Sequence, residues 1–217
     1  MPFLIDSYNR IQKELSDHHV ALVAVTKTKS VSDILEAYNA GHRDFGENYV
    51  QELADKYEAL PKDIRWHFIG HLQSNKVKYI VPFVHLIHGV DSEKLLLEIN
   101  KQAAKINRII PCLLQVHIST EETKFGLDEQ ELDMLIKKIE MNTAAWKNVS
   151  VRGLMGMASF TEDNDLIKTE FKYLRSLYER NAQYSILSMG MSADYRFGIE
   201  AGGNMVRIGS LLFGSRN

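Results

Sequence analysis

Lys27 is the residue whose setting first suggests chemistry. It follows the apolar run ALVAVT, at the end of a strand-like segment where an amine can lose part of its hydration. Desolvation and a neighbouring cation such as Lys29 both lower an amine's pKa, toward the neutral form that condenses with an aldehyde. A lysine that lays its stem on apolar surface and keeps its ammonium in water would read the same way. Lys29 reads as a solvated surface charge or as that tuning cation.

A second reactive-looking stretch is LSMGMSADYRFGIEAGGNMVRIGSLLFG, near the C-terminus. Residues 188–192 form a glycine-containing loop that runs into a helical pattern, and Gly209-Ser210 ends a strand in an exposed amide and a hydroxyl. Backbone N–H groups at a helix start, with serine hydroxyls, can cradle a phosphate. Tight turns alone would also account for Gly190, Gly209 and Gly214. Arg207 alternates with Val206 and Ile208, which turns it to the opposite face of its strand. Pointing inward, it needs a ligand atom or an internal partner.

The other chemistry-bearing types point less sharply. His67 and His71 are four apart, but no H-E-x-x-H glutamate lies between them and 66–69 reads as strand. His85, His88 and His117 stand in or near strands without clustered carboxylates or cysteines, so no metal is expected. Cys112, the single cysteine, lies in PCLLQV and reads as a buried structural thiol. Met155, Met157, Met189 and Met191 read as packing.

Bringing Lys27 together with residues 180 positions later requires a frame that gathers strand ends. Strand patterns fall at 21–25, 44–46, 66–69, 86–88, 111–117, 149–155, 185–188 and 205–208. Between them lie helical patterns at 31–40, 48–60, 74–81, 92–107, 128–141, 163–181 and 195–201, after an amphipathic helix at about 5–17. Strict alternation calls for a parallel sheet, and eight units close into a (β/α)8 TIM barrel, an α/β fold that works at the C-terminal ends of its strands. An open doubly wound sheet is the alternative, weakened because no G-x-G-x-x-G follows the first strand. No linker or low-complexity segment interrupts the pattern, so residues 1–217 read as a single domain with 1–18 as its leading helix.

Composition narrows the function. The 217 residues are 45% hydrophobic and 25% charged, with a formal net charge of −2, which excludes disordered, collagen-like and disulfide-stapled classes. The balance lacks the basic excess of a phosphate-gripping protein, so nucleic acid is not expected as a partner. No secretory signal pattern and no apolar run of membrane length is present, so a cytoplasmic protein without a membrane partner is expected.

Five segments carry a family resemblance: AVTKTKS, FGENYVQE, WHFIGHLQSNK, LSMGMSADY and VRIGSLLFG. Together, and in this order, they resemble the YggS/PROSC family of pyridoxal 5′-phosphate homeostasis proteins, relatives of the N-terminal barrel of alanine racemase. The resemblance implies a fold-type III pyridoxal 5′-phosphate (PLP) site in which Lys27 forms the internal aldimine. It implies phosphate ligands at Ser188, at the backbone of Met189, and at Gly209 and Ser210, with Arg207 against the pyridine nitrogen. Asn48 and His67 become second-line residues near the ring, and Lys29 and Lys124 resemble lysines thought to influence cofactor binding or release. Ser210 replaces the commoner Thr, and His71 stands where many members have Pro, which would leave that loop freer. The tail 215–217 is short against the family's basic end.

The function so implied is a non-catalytic, monomeric protein that holds PLP and supplies or buffers it, with PLP-dependent apo-enzymes as the partners. A permanently charged guanidinium facing the pyridine nitrogen makes the ring a weak electron sink. The related racemases take a second base, a tyrosine, from a separate C-terminal domain not seen in this sequence. The rival expectations are a fold-type III amino-acid racemase completing its site across an interface, and a regulatory protein whose surface matters more than its pocket.

Overall fold

The computed structural model describes residues 3–121 and 125–214. Eight parallel strands, β1 (Ala21–Val25), β2 (Asp44–Glu47), β3 (Arg65–Phe68), β4 (Leu86–Val90), β5 (Ile110–Gln115), β6 (Val149–Met155), β7 (Ile186–Met191) and β8 (Met205–Ile208), close into a barrel in chain order. Helix α1 (Ile5–Asp17) precedes β1. Helices α2 (Val31–Asn39), α3 (Val50–Ala59), α4 (Val77–Ile80), α5 (Glu93–Ala104), α6 (Glu129–Met141), α7 (Asn164–Tyr178), α8 (Tyr195–Glu200) and α9 (Ser210–Phe213) follow the strands in turn.

The helices start where local chemistry satisfies their free N–H groups. Ser30 with Asp33 and Asp128 with Glu131 form reciprocal capping boxes on α2 and α6, and the Ser92 and Asp163 side chains cap α5 and α7. One face of each helix packs on the outer face of the strands, where Phe45, Trp66, Phe68, Phe171, Val206 and Ile208 are fully buried. Inward-facing residues are fewer. Val23, Leu86, Leu113, Met155 and Met205 make a small apolar plug, and the polar His67, His88, Ser188 and Arg207 share that interior. Cys112 is fully buried in the outer layer, where burial pushes its thiol pKa up.

Three boundaries differ from the sequence reading for physical reasons. The segment 74–81 is a 3-10 turn (Ser74–Lys76) followed by α4 rather than one helix. A single turn, α9, closes the described chain where none is expected. Most consequential, β7 runs on to Met191. Gly190, at φ +95°, takes a backbone conformation that other residues rarely adopt, so it forms a bulge inside the strand instead of ending it. Pairing with β8 shifts there from Ser188↔Met205 to Met191↔Arg207. Among the described residues, no helix is long and apolar enough to cross a membrane, and no three His, Cys, Asp or Glu gather as for a metal ion.

Candidate functional site

The C-terminal ends of the strands form the barrel mouth, and Lys27 stands there, two residues past β1. Its neighbours on both sides are tied down. Thr26 donates its hydroxyl to Glu47 Oε1 at 2.6 Å, and the Thr28 N–H donates to Glu52 Oε1 at 2.6 Å. Lys56 on α3 ties these groups together, donating to Glu47 Oε1 (2.7 Å), Glu52 Oε1 (2.6 Å) and the Thr26 carbonyl (2.7 Å). Thr28 accepts φ +65° as part of this arrangement. Glu47 is fully buried. Burial raises its pKa, against the opposing pull of Lys56 and the Thr26 hydroxyl.

Strands β8 and β1 are neighbours, so the end of β8 lies beside this loop. A Cβ on Gly209 would lie 3.3 Å from the Val25 carbonyl oxygen, so the two loops meet closely here. The Gly209 N–H donates to Ser192 Oγ at 3.1 Å, joining the loops after β7 and β8. Accepting that bond leaves the Ser192 hydroxyl proton available to an anion. The Lys29 ammonium donates to the Phe213 carbonyl at 2.8 Å and is half-buried, so it secures the turn after β8 and is not a solvated surface charge.

Ser188 is placed differently from the phosphate-ligand expectation. The bulge at Gly190 keeps it within the strand, fully buried and facing the barrel interior. Its Oγ accepts from Arg207 Nη1 at 2.6 Å and lies 3.2 Å from His88 Nδ1. The hydroxyl that this loop presents at the rim is therefore Ser192, four residues beyond the expected position. Met189 also lies inside β7, with its side chain fully buried in the outer core.

Arg207 faces inward, as the alternation requires, and is only 4% exposed. Its Nη1 donates to the Ser188 carbonyl and its Nη2 to the Gly156 carbonyl, each at 3.0 Å. Burial lowers its pKa to about 10, opposed by Asp194, so the guanidinium stays charged at neutral pH. His67 is buried inside the barrel. Its Nε2 is 3.1 Å from Asp44 Oδ1, and Asp44 opens β2 at the opposite end of the barrel, where it also accepts from Arg65. Between His67 and Ser188 stands His88, fully buried, with its Nε2 2.9 Å from His67 Nδ1.

Asn48 follows β2 at the mouth, and its Oδ1 is a buried oxygen without a hydrogen-bond partner. His71 is not freer for replacing a proline. It bonds to Asp91 at 3.0 Å and stacks on Phe125 with ring centroids 4.0 Å apart. Lys124 and the tail 215–217 lie outside the described residues. Sequence reasoning missed His88, Ser192's place at the rim, and the Glu47–Lys56 clamp. A glycine two residues before Ser192 was the available signal for the second, whereas the His88–Ser188 contact spans 100 positions and leaves no local trace.

Comparison with known proteins places the barrel in a family. The family model described as alanine racemase, N-terminal domain, matches residues 4–217. A pyridoxal phosphate homeostasis protein of Aquifex aeolicus is 43% identical over 201 residues, covering 90% of this chain and 86% of that protein. One from Schizosaccharomyces pombe is 38% identical over 216 residues, covering 96% and 89%. Among solved structures, PipY of Synechococcus elongatus with PLP bound has a TM-score of 0.86 at 31% identity, covering 96% of this chain and 99% of that one. Alanine racemase from Bartonella henselae shares the fold alone, with a TM-score of 0.68 at 18% identity, covering 97% of this chain and 59% of that one. The chain belongs to the family of pyridoxal phosphate homeostasis proteins, which is built on the alanine racemase N-terminal barrel.

Proposed function

We propose that this chain binds PLP at the barrel mouth and, as a monomer, holds it for supply to apo-enzymes without turning over a substrate of its own. The observation that carries the reading is the Ser192–Gly209 bond, which gathers the loops after β7 and β8 beside the loop that carries Lys27. When bound, the cofactor supplies an aldehyde that condenses with a primary amine and a phosphate that needs donors. Lys27 is the amine. Ser192 and Ser210 are the phosphate donors, with the Gly209 N–H orienting Ser192 and Ser192 in the role first expected of Ser188. Asn48 carries a buried oxygen without a partner in the protein alone, an acceptor that the ring hydroxyl of the bound cofactor could satisfy.

Arg207 supports a holding role. A charged guanidinium opposite the ring nitrogen disfavours protonation there and with it carbanion chemistry. Several tyrosines are engaged in the outer shell: Tyr38, Tyr173 and Tyr195 donate to Asp63, Glu129 and Glu14, and Tyr178 to the Tyr184 carbonyl.

The test is uptake of PLP by the purified protein, followed by borohydride reduction and peptide mapping. A stable adduct on Lys27 is expected, and Lys27→Ala should lose it while retaining weak, phosphate-dependent binding. No uptake, or an adduct elsewhere, would overturn the site. Racemisation of alanine by the loaded protein, lost in Lys27→Ala, would replace the holding role with an enzymatic one.

A further inference from the structure

The polar groups inside the barrel form one continuous chain. It runs from Arg207 Nη1 to Ser188 Oγ (2.6 Å), His88 Nδ1 (3.2 Å), and from His88 Nε2 to His67 Nδ1 (2.9 Å), then from His67 Nε2 to Asp44 Oδ1 (3.1 Å). The two ends fix its direction. Arginine only donates, and an ionised carboxylate only accepts. Although burial acts to raise Asp44, its hydrogen bonds to His67 and Arg65 outweigh that and hold it well below the usual carboxylate range.

If each imidazole carries one proton, one arrangement satisfies every contact. His67 must present Nε2–H to Asp44, which leaves its Nδ1 as an acceptor. His88 must then donate from Nε2, which makes its Nδ1 an acceptor for the Ser188 hydroxyl. Ser188, having given away its proton, accepts from Arg207. Full burial, the largest cause, pushes His88 far below the ordinary histidine range, so its own ring is neutral.

We propose that His88 is a positioning residue for the cofactor ring, acting through Ser188 to hold the Arg207 guanidinium in place. The proposal rests on the reading that Arg207 faces the ring nitrogen. Ser188 could otherwise rotate its hydroxyl toward the guanidinium and cease to anchor it. The chain removes that freedom by giving the proton a fixed acceptor on the other side. The base of the barrel, where Asp44 and Arg65 open their strands, is thereby linked to the mouth through side chains alone.

Two measurements test this. In the protein without added PLP, nitrogen-15 NMR at neutral pH should find the proton on Nε2 of both His67 and His88, with a coupling across the hydrogen bond from His88 Nε2 to His67 Nδ1. A proton on Nδ1 of either ring would overturn the chain. In the PLP-loaded protein, His88→Phe should shift the absorption maximum of the bound cofactor and weaken binding roughly two- to tenfold, the scale of one lost hydrogen bond. His88→Asn, whose Oδ1 can replace Nδ1 as acceptor, should restore the wild-type spectrum. An unchanged spectrum in His88→Phe, or no rescue by Asn, overturns the positioning role. If His88→Phe does not fold, Ser188→Ala cuts the same link and should give the same spectral shift. Failure of the wild-type protein to take up PLP would overturn the functional reading on which the positioning role depends, while leaving the NMR result to decide the chain.

Discussion

Lys56→Met keeps most of the side chain's aliphatic stem and removes an ammonium that donates to Glu47, Glu52 and the Thr26 carbonyl. Glu52 is 24% exposed and can turn to water, but Glu47 is fully buried and cannot. Removing one partner of a buried pair costs about 3–5 kcal/mol, or roughly 6–20 °C of Tm for a chain of this size. The loss should depend on pH with a definite sign. Glu47 already sits above its ordinary pKa because of burial, and deleting the opposing pull of Lys56 raises it further. A carboxyl whose folded-state pKa exceeds its unfolded value contributes stability that is fully present below the unfolded pKa and is lost as pH rises through the folded one. The variant should therefore be least impaired at about pH 4.5, near the unfolded glutamate value, and most impaired at about pH 8. Urea unfolding followed by tryptophan fluorescence, without added cofactor, measures both. Adding Glu47→Gln should recover half or more of the loss, since the stranded charge is gone. An equal loss at both pH values, or a double variant no better than the single one, would refute the reasoning.

Ser192→Ala should weaken PLP binding by about 1–3 kcal/mol, the worth of a charge-assisted hydrogen bond, while leaving affinity for unphosphorylated pyridoxal nearly unchanged; titration calorimetry with both ligands separates the two. Gly190→Ala should destabilise the protein by at least about 1–3 kcal/mol, because φ is +95° and the new methyl would lie 2.7 Å from the Tyr195 Cα; thermal unfolding reads this, and an unchanged Tm would mean that β7 ends before the bulge.

The alternation of strands and helices was legible because each element carries its own period and cap. Ser30 with Asp33 and Asp128 with Glu131 announce helix starts within four residues. Arg207's inward face followed from its apolar neighbours on either side. Local pattern failed where a residue's role depends on register. Gly190 reads as a strand terminator, and only pairing with β8 shows that the strand continues, which keeps Ser188 inside the barrel and leaves Ser192 as the serine past the end of β7. Lys29 looks solvated until the Phe213 carbonyl, 184 positions away, is brought beneath it. The histidines inside the barrel appeared unclustered because their partners come from β2, β4 and β7, and no spacing in the chain records that meeting.

Closure of the barrel through β1 and β8 has a consequence for biosynthesis. At about 5–20 residues per second, the 180 positions from Val25 to Met205 take roughly 10–40 s to emerge from a ribosome. Throughout that time β1 has an unpaired edge, and Lys27 lacks the loop that would complete its surroundings. Ser210, one of the proposed phosphate donors, emerges only after the strand that seals the cylinder. On the proposed reading, a nascent chain thus exposes Lys27 early but gains the means to retain a phosphorylated aldehyde only once β8 has closed the barrel.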